Sequence, residues 1–410
     1  MEHQLPTFDV DHIRRRFPAL NRSENGEIVA YLDGPGGTQV PRTVIDSMAR
    51  VLEEGVSNLG GGFGSSRVSV RVTSEARSAI ADLLACDPAE VIFGQNMTSL
   101  TFSMSRALAQ TWQEGDAIVL TSLDHDANFT PWAMAAAERG ADVRVAEFDA
   151  ATGELDPTAV VDLIDDRTRL IAVCLSSNAL GTLVDVAPIT EAAHQAGALT
   201  YVDAVHAAPH HAIDVGRLGC DFLAVSVYKF FGPHTGALFG RRELLERIDA
   251  YKVRPAPEDP PGKFETGTQS FECLAGTTAA VDHIASLGSD GATRRGSIEM
   301  GYQAIQLHET SLATRFMEGL ESLEGVKLYG PRKASNRSPT FAVAIDGHSA
   351  SDLARHMISR GIYVWAGHYY ALNVMDRLGV LDSGGLVRVG FCHYNTSEEV
   401  DRALEALAEL

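Results

Sequence analysis

Short apolar runs rich in β-branched and aromatic residues recur along the chain, separated by stretches whose apolar positions follow helical spacing. Such alternation predicts βα units and a mostly parallel sheet layered by helices. Strands are predicted at Val91–Phe93, Ala117–Leu120, Asp142–Phe148, Leu170–Leu175, Ala198–Val205 and Phe222–Val227, with Gly236–Gly240 pairing on the return. Leu100, Phe102, Met104 and Leu108 mark a helix starting at Ser99, and short helices are predicted at Val10–Phe17 and Glu243–Ile248. Ala275 to about Leu323 reads as helical, and Phe341–Ile345, Ile362–Trp365 and Leu386–Gly390 as strands of a second, smaller α+β unit. The expected division is an N-terminal segment (1–30) packed on the small domain, a large α/β domain (31–289) and a small C-terminal domain (290–410). A chain of 410 residues is long enough for two such domains with a large core.

Breaks in the pattern fall at glycine and proline. Gly34-Pro35-Gly36-Gly37 cannot continue a strand and must form a tight loop, and Pro255–Gly262 must be irregular. The Gly-rich stretch Asn58–Ser66 lacks the strand before and helix after that a dinucleotide-binding fingerprint requires, so a Rossmann reading is rejected.

Composition narrows the classes. The chain is 45% hydrophobic and 21% charged, which is ordinary for a globular protein, and its formal charge of −20 argues against nucleic-acid or anionic-membrane partners. Five scattered cysteines without a CxxC indicate neither a disulfide framework nor a zinc site. No apolar run approaches membrane length and the N-terminal region is polar, so a soluble cytoplasmic protein is expected.

The chemistry centres on Asp221–Gly236, DFLAVSVYKFFGPHTG. Lys229 follows a buried-strand pattern, where desolvation penalises an ammonium. A Schiff base with an aldehyde cofactor, pyridoxal phosphate (PLP), removes that cost, and Ser226 and Tyr228 would offer hydroxyls to its phosphate. The plain alternative is a lysine whose head snorkels out of a strand end. Asp203 tips the balance. It ends the preceding predicted strand 26 residues earlier, one βαβ step away, where a carboxylate can bind a protonated pyridine nitrogen. The strand at Val91–Phe93, the polar turn and the following helix make an anion site from free backbone N–H groups, with Asn96 and Met97 as candidates and plain helix capping by Thr98 or Ser99 as the alternative.

Asp203, His206 and a strand ending Ser-x-Tyr-Lys resemble the class V aminotransferase family of fold-type I PLP enzymes, whose best-known branch is the cysteine desulfurases. The resemblance covers nearly the whole chain. It implies a fold-type I PLP transferase architecture and a homodimer with shared active sites, acting on a small amino-acid substrate. It further implies that Lys229 carries the cofactor, that His125 stacks on its ring, that Asn178 lies beside it and that His206 contacts the phenolic oxygen. Gly267 and Thr268 would reach the partner's phosphate, Arg388 would clamp the substrate carboxylate and the loop at Gly36 would border the substrate.

The chain departs from the desulfurases in the loop Gly361–Ala371, which has no cysteine to accept sulfur. Tyr370 stands at that place, and Trp365 replaces a second carboxylate-binding arginine. The resemblance with this departure points first to C–S cleavage by β-elimination of a cysteine or S-substituted cysteine, with Phe63, Trp365, Tyr369 and Tyr370 forming an aromatic mouth. Conventional cysteine desulfuration, decarboxylation with oxidative deamination, transamination and epimerisation are the alternatives. A catalytically silent scaffold would call for a damaged Lys229 or Asp203, and both are intact.

Overall fold

Seven of the predicted runs pair into one sheet, and in all but the edge run at Asp142–Ala146 most residues are apolar and covered on both faces. The structure, a computed structural model, describes residues 8–24, 26–288 and 291–410. The strands are β1 (Val91–Gly94), β2 (Ala117–Thr121), β3 (Asp142–Ala146), β4 (Thr168–Cys174), β5 (Leu199–Asp203), β6 (Phe222–Ser226) and β7 (Gly236–Gly240), in the order β1-β7-β6-β5-β4-β2-β3. β7 runs antiparallel to both neighbours, and the other pairings are parallel. Successive side chains divide between two cores. Val119, Ile171, Val173, Val202, Leu223 and Val225 join one. Ile118, Leu120, Ala172, Tyr201, Phe222 and Ala224 join the other, as a pleated strand buried on both faces requires. Parallel pairing brings the carboxyl ends of β2, β4, β5 and β6 to one edge, the place where open α/β sheets bind ligands.

The smaller sheet contains β8 (Val326–Tyr329), β9 (Thr340–Ile345), β10 (Trp365–Gly367) and β11 (Leu386–Gly390), in the antiparallel order β8-β9-β11-β10. Phe341 of β9 and Phe391, just past β11, pack on Phe316 of the helix Arg294–Glu321, with ring centroids 4.9 and 5.3 Å away. The chain thus has the two-domain fold-type I architecture, a large mixed-sheet α/β domain with a smaller α+β one.

Several predicted elements need correction. The helix read from Ala275 to Leu323 is two helices, Phe271–Ala285 and Arg294–Glu321, the second capped by Thr293. The expected boundary between residues 289 and 290 lies outside the described residues, as do residues 1–7 of the N-terminal segment. Ile362–Trp365 is not one strand: Ile362–Tyr363 pairs in parallel with Ala30–Tyr31, and Trp365 begins β10. The opening helix stops at Arg14 rather than Phe17, because Pro18 disfavours a helical conformation at the residue before it. A helix, Gly64–Leu84, does follow the Gly-rich stretch; it is the strand before it that is missing. The strand read as Asp142–Phe148 ends at Ala146 and lies at the sheet edge, with Val143 and Val145 partly in solvent.

Gly236 joins fold to site. It pairs with Gly94 and Ser226, and a Cβ there would lie 2.5 Å from the carbonyl carbon of Asn96. That neighbour is backbone and cannot swing aside. Gly236→Ala is expected to cost about 1–3 kcal/mol, seen as a lowered thermal midpoint together with weaker PLP binding. An unchanged midpoint would show that the turn at Asn96 yields freely.

Candidate active site

β6 ends at Ser226, and one 3₁₀ turn, Val227–Lys229, carries the chain off the sheet edge. Lys229 Nζ donates to Pro35 O at 2.5 Å, in the Gly34–Gly37 loop. Burial, with the Arg388 cation adding to it, pushes the Lys229 ammonium down to about 7, against the opposing pull of Asp203 and Asp33. Asp203, 5% exposed at the end of β5, accepts Val205 N–H at 2.9 Å. Burial raises its carboxyl to about 6, and a cationic ring nitrogen beside it would pull it down again.

His125 follows β2. Its Nδ1 accepts Ala127 N–H at 3.0 Å, so the neutral ring carries its proton on Nε2. Burial, then the charges of Lys229 and Arg388, lower it to about 4. The loop is pinned by Asp124, which accepts from the Thr121 hydroxyl and, at 2.7 Å, from Asn128 Nδ2. Burial lifts the Asp124 carboxyl to about 8. Asp124 was not singled out from the sequence, although it lies in the same D-H-D-A-N string as His125.

Arg388, on β11, is buried and donates through Nη1 to Asn178 O at 3.0 Å, with its guanidinium 4.5 Å from the Tyr369 ring centre. Asn178 Nδ2 in turn donates to Tyr369 O at 3.0 Å. Arg388 Nε, Asn178 Oδ1 and Asp33 Oδ1 are buried without a hydrogen-bond partner. Unpaired buried polar atoms are costly unless a ligand completes them, and two of these three belong to side chains expected at the substrate. A Cβ on Gly36 would sit 2.8 Å from Trp365 Nε1 and 3.7 Å from Arg388 Nη2, so only glycine leaves this approach open.

Two adjoining cavities result. One, of about 480 Å³, takes in Asn96, Met97, Asp203, His206, Ser226 and Lys229. The other, about 620 Å³, takes in Gly36, Trp365, Tyr370 and Arg388, and both share His125, Asn178 and Lys229. The helix Met97–Ala109 starts at the first cavity. Asn96 rather than Thr98 or Ser99 is its N-cap, bonded reciprocally with Ser99, and Met97 N–H donates to Ser226 Oγ at 3.0 Å. His206 is buried with Nε2 3.0 Å from Thr340 Oγ1. Tyr228 stacks flat on His234, centroids 4.8 Å apart. Tyr370, 68% exposed, stacks on His125 at 5.6 Å, and its carbonyl accepts Asp126 N–H at 2.7 Å. Tyr369 and Tyr370 both have positive φ, an unusual backbone for two successive aromatic residues. Thr268 is exposed and lines neither cavity.

A buried lysine with a depressed pKa, a carboxylate at the next strand end, a helix N-terminus and orphaned polar atoms at the opposite pole fit PLP: Lys229 for its aldehyde, Asp203 for its ring nitrogen, the Asn96–Met97 turn for its phosphate. Fold and site together define a fold-type I PLP-dependent enzyme. The chain belongs to the class-V aminotransferase family, whose description, "Aminotransferase class-V", matches residues 30–403. It is 32% identical to a cysteine desulfurase of Dickeya dadantii over 99% of this chain and 98% of that protein. With one from Yersinia pestis it shares 31% identity over 98% of each. Among solved structures it superposes on the apo cysteine desulfurase of Thermococcus onnurineus with a TM-score of 0.87 at 28% identity, covering 99% of this chain and 98% of that one. The Escherichia coli cysteine desulfurase CsdA, in an S-sulfonic acid form, gives 0.85 at 26%, over 98% of each. Among the described residues no helix is long and apolar enough to cross a membrane.

A neutral amine is the nucleophile toward an aldehyde, and its population grows as pH rises through the pKa. The rate of PLP capture by the cofactor-free protein is therefore expected to rise with pH and level off above about 7. Stopped-flow absorbance after mixing with PLP reads this. A rate still climbing tenfold per pH unit at pH 9 would mean that Lys229 titrates like a solvated lysine.

Proposed function

We propose that the enzyme cleaves the Cβ–S bond of cysteine by the desulfurase route, forming alanine and passing sulfur to an acceptor thiol. The observation that carries this reading is full-length similarity to proteins named cysteine desulfurases. It supports desulfuration over the β-elimination first expected from the sequence. The balance is cysteine plus a thiol giving alanine plus a persulfide. The acceptor is an external thiol, because the loop Gly361–Ala371 has none and burial pushes the Cys174 and Cys392 thiols well above their ordinary range, away from the reactive thiolate.

PLP, when bound, supplies an aldehyde and an electron-accepting pyridinium ring. Asp203 holds the proton on the ring nitrogen. His125, neutral, offers its face to the ring. Lys229, whose ammonium burial makes easy to deprotonate, takes the α-proton as the free amine and returns a proton to carbon. Arg388 binds the substrate carboxylate through a planar fork, with Asn178 alongside. His206 is the candidate contact for the phenolic oxygen. The working unit is a homodimer, and the exposed position of Thr268 supports its serving a second copy's phosphate.

One observation favours β-elimination as a second reading. Tyr370 holds the sulfur-acceptor position, fixed by its carbonyl bond to Asp126 and its stack on His125. Product analysis with cysteine and an added thiol separates the two. Alanine with persulfide is expected, whereas pyruvate and ammonia with sulfide would replace desulfuration by elimination. Tyr370→Cys is expected to make alanine formation largely independent of added thiol in the first turnover; continued dependence would argue that position 370 does not face the departing sulfur. Arg388→Lys is expected to raise KM about 10- to 100-fold, roughly 1.4–2.8 kcal/mol of binding, with a smaller change in kcat. An unchanged KM would remove Arg388 from the carboxylate site.

A further inference from the structure

We propose that His234 is a ligand of the PLP phosphate, with Tyr228 acting as the plate that fixes its imidazole plane. His234 lines the cofactor cavity together with Asn96, Met97, Ser226 and Tyr228. Register places it at the phosphate pole. Gly236, two residues on, is hydrogen-bonded between Gly94 and Ser226, against the backbone of Asn96. The intervening Thr235 is anchored by Val227 N–H, which donates to its carbonyl at 2.8 Å.

Charge accounting points to the same residue. A phosphate carries close to two negative charges at neutral pH. The basic side chains lining this cavity are Lys229 and the imidazoles of His125, His206 and His234. Lys229 is committed to the aldehyde, and burial holds His125 and His206 neutral. Arg388 lines the other cavity. His234 is exposed and can donate an N–H to the anion.

The stack explains how an exposed imidazole is held. The Tyr228 and His234 rings are within 8° of parallel. Tyr228 is itself clamped: its carbonyl accepts Thr38 N–H at 3.1 Å and Thr38 Oγ1–H at 3.2 Å. A Cβ on Gly37 would stand only 3.3 Å from Tyr228 Cδ2, so the ring edge uses space that glycine leaves, at a residue whose φ of +157° other residues rarely adopt. The expected hydroxyl contact from Tyr228 to the phosphate is not needed for this arrangement; its ring face suffices.

Two cofactor forms isolate the phosphate. Equilibrium binding of PLP and of pyridoxal, which lacks the phosphate, would be followed by absorbance on cofactor-free wild type, His234→Ala, His234→Asn and Tyr228→Phe. We expect His234→Ala to weaken PLP about tenfold or more, as loss of a charge-assisted hydrogen bond would, and to leave pyridoxal within about twofold. His234→Asn, which keeps an N–H donor, should recover part of the loss, and Tyr228→Phe, which keeps the plate, should lose less PLP affinity than His234→Ala. The ³¹P resonance of bound PLP should move in His234→Ala. Unchanged PLP affinity in His234→Ala, or equal losses for PLP and pyridoxal, would overturn the assignment, as would a large loss in Tyr228→Phe with none in His234→Ala.

Discussion

The structure depends on burying one amine so that it gives up its proton easily. Lys229 sits where a parallel sheet delivers its strand ends, with burial as the dominant pressure on its proton. An ammonium there would cost several kcal/mol in solvation, and the fold does not supply it with a close carboxylate partner. Nζ instead meets a carbonyl oxygen, that of Pro35, from the loop that also borders Arg388. The amine is thereby left available to an aldehyde, and the Gly-Pro-Gly-Gly loop is bent against the reactive nitrogen by the same contact.

The remaining parts follow from that placement. β5 and β6 run in parallel, so Asp203 and Lys229 emerge on one edge without either residue having to reach far. β2 and β4 bring His125 and Asn178 to the same edge. Arg388 comes from the second sheet and is tied to the first through Asn178 O, so the substrate pole lies between the two domains while the cofactor pole belongs to one. Three of the orphaned polar atoms lie at the substrate pole, where a ligand's carboxylate can accept from Arg388 Nε and its amine can donate to Asn178 Oδ1 or Asp33 Oδ1. The buried Asp124 and Asp203 and the half-buried Asp33 all have carboxyls raised by desolvation, yet of these only Asp203 ends a strand beside Lys229. Asp124 acts by holding the His125 loop.

Much of this was legible in the sequence. The strand ends at Asp203 and Lys229 were readable because a lysine and an aspartate at the ends of apolar runs break a pattern that propensity alone would continue. The large sheet was readable because its inner strands are buried on both faces and read as nearly continuous apolar runs, whereas the edge strand Asp142–Ala146 is interrupted by Arg144 and half in solvent. Other features were not. Ile362–Trp365 is a continuous apolar run, yet it pairs with two different sheets, and nothing local marks the crossing at Val364. The cap at Asn96 competed with Thr98 and Ser99, which offer the same side-chain chemistry, and tertiary position decided among them. Asp33 gains its meaning from Arg388 and Lys229, far away in the chain, and no spacing rule reports such contacts; Asp124 and His234 touch near neighbours, but that their loops border the cavity is set by tertiary position.

The whole site turns on Lys229 as the residue that would bear the cofactor. Borohydride reduction of the PLP-loaded protein, followed by proteolysis and mass spectrometry, tests it most directly. A pyridoxyl phosphate mass is expected on the peptide containing Lys229 and is expected to be absent after Lys229→Ala. The label on another lysine, or no covalent label in protein saturated with PLP, would contradict it.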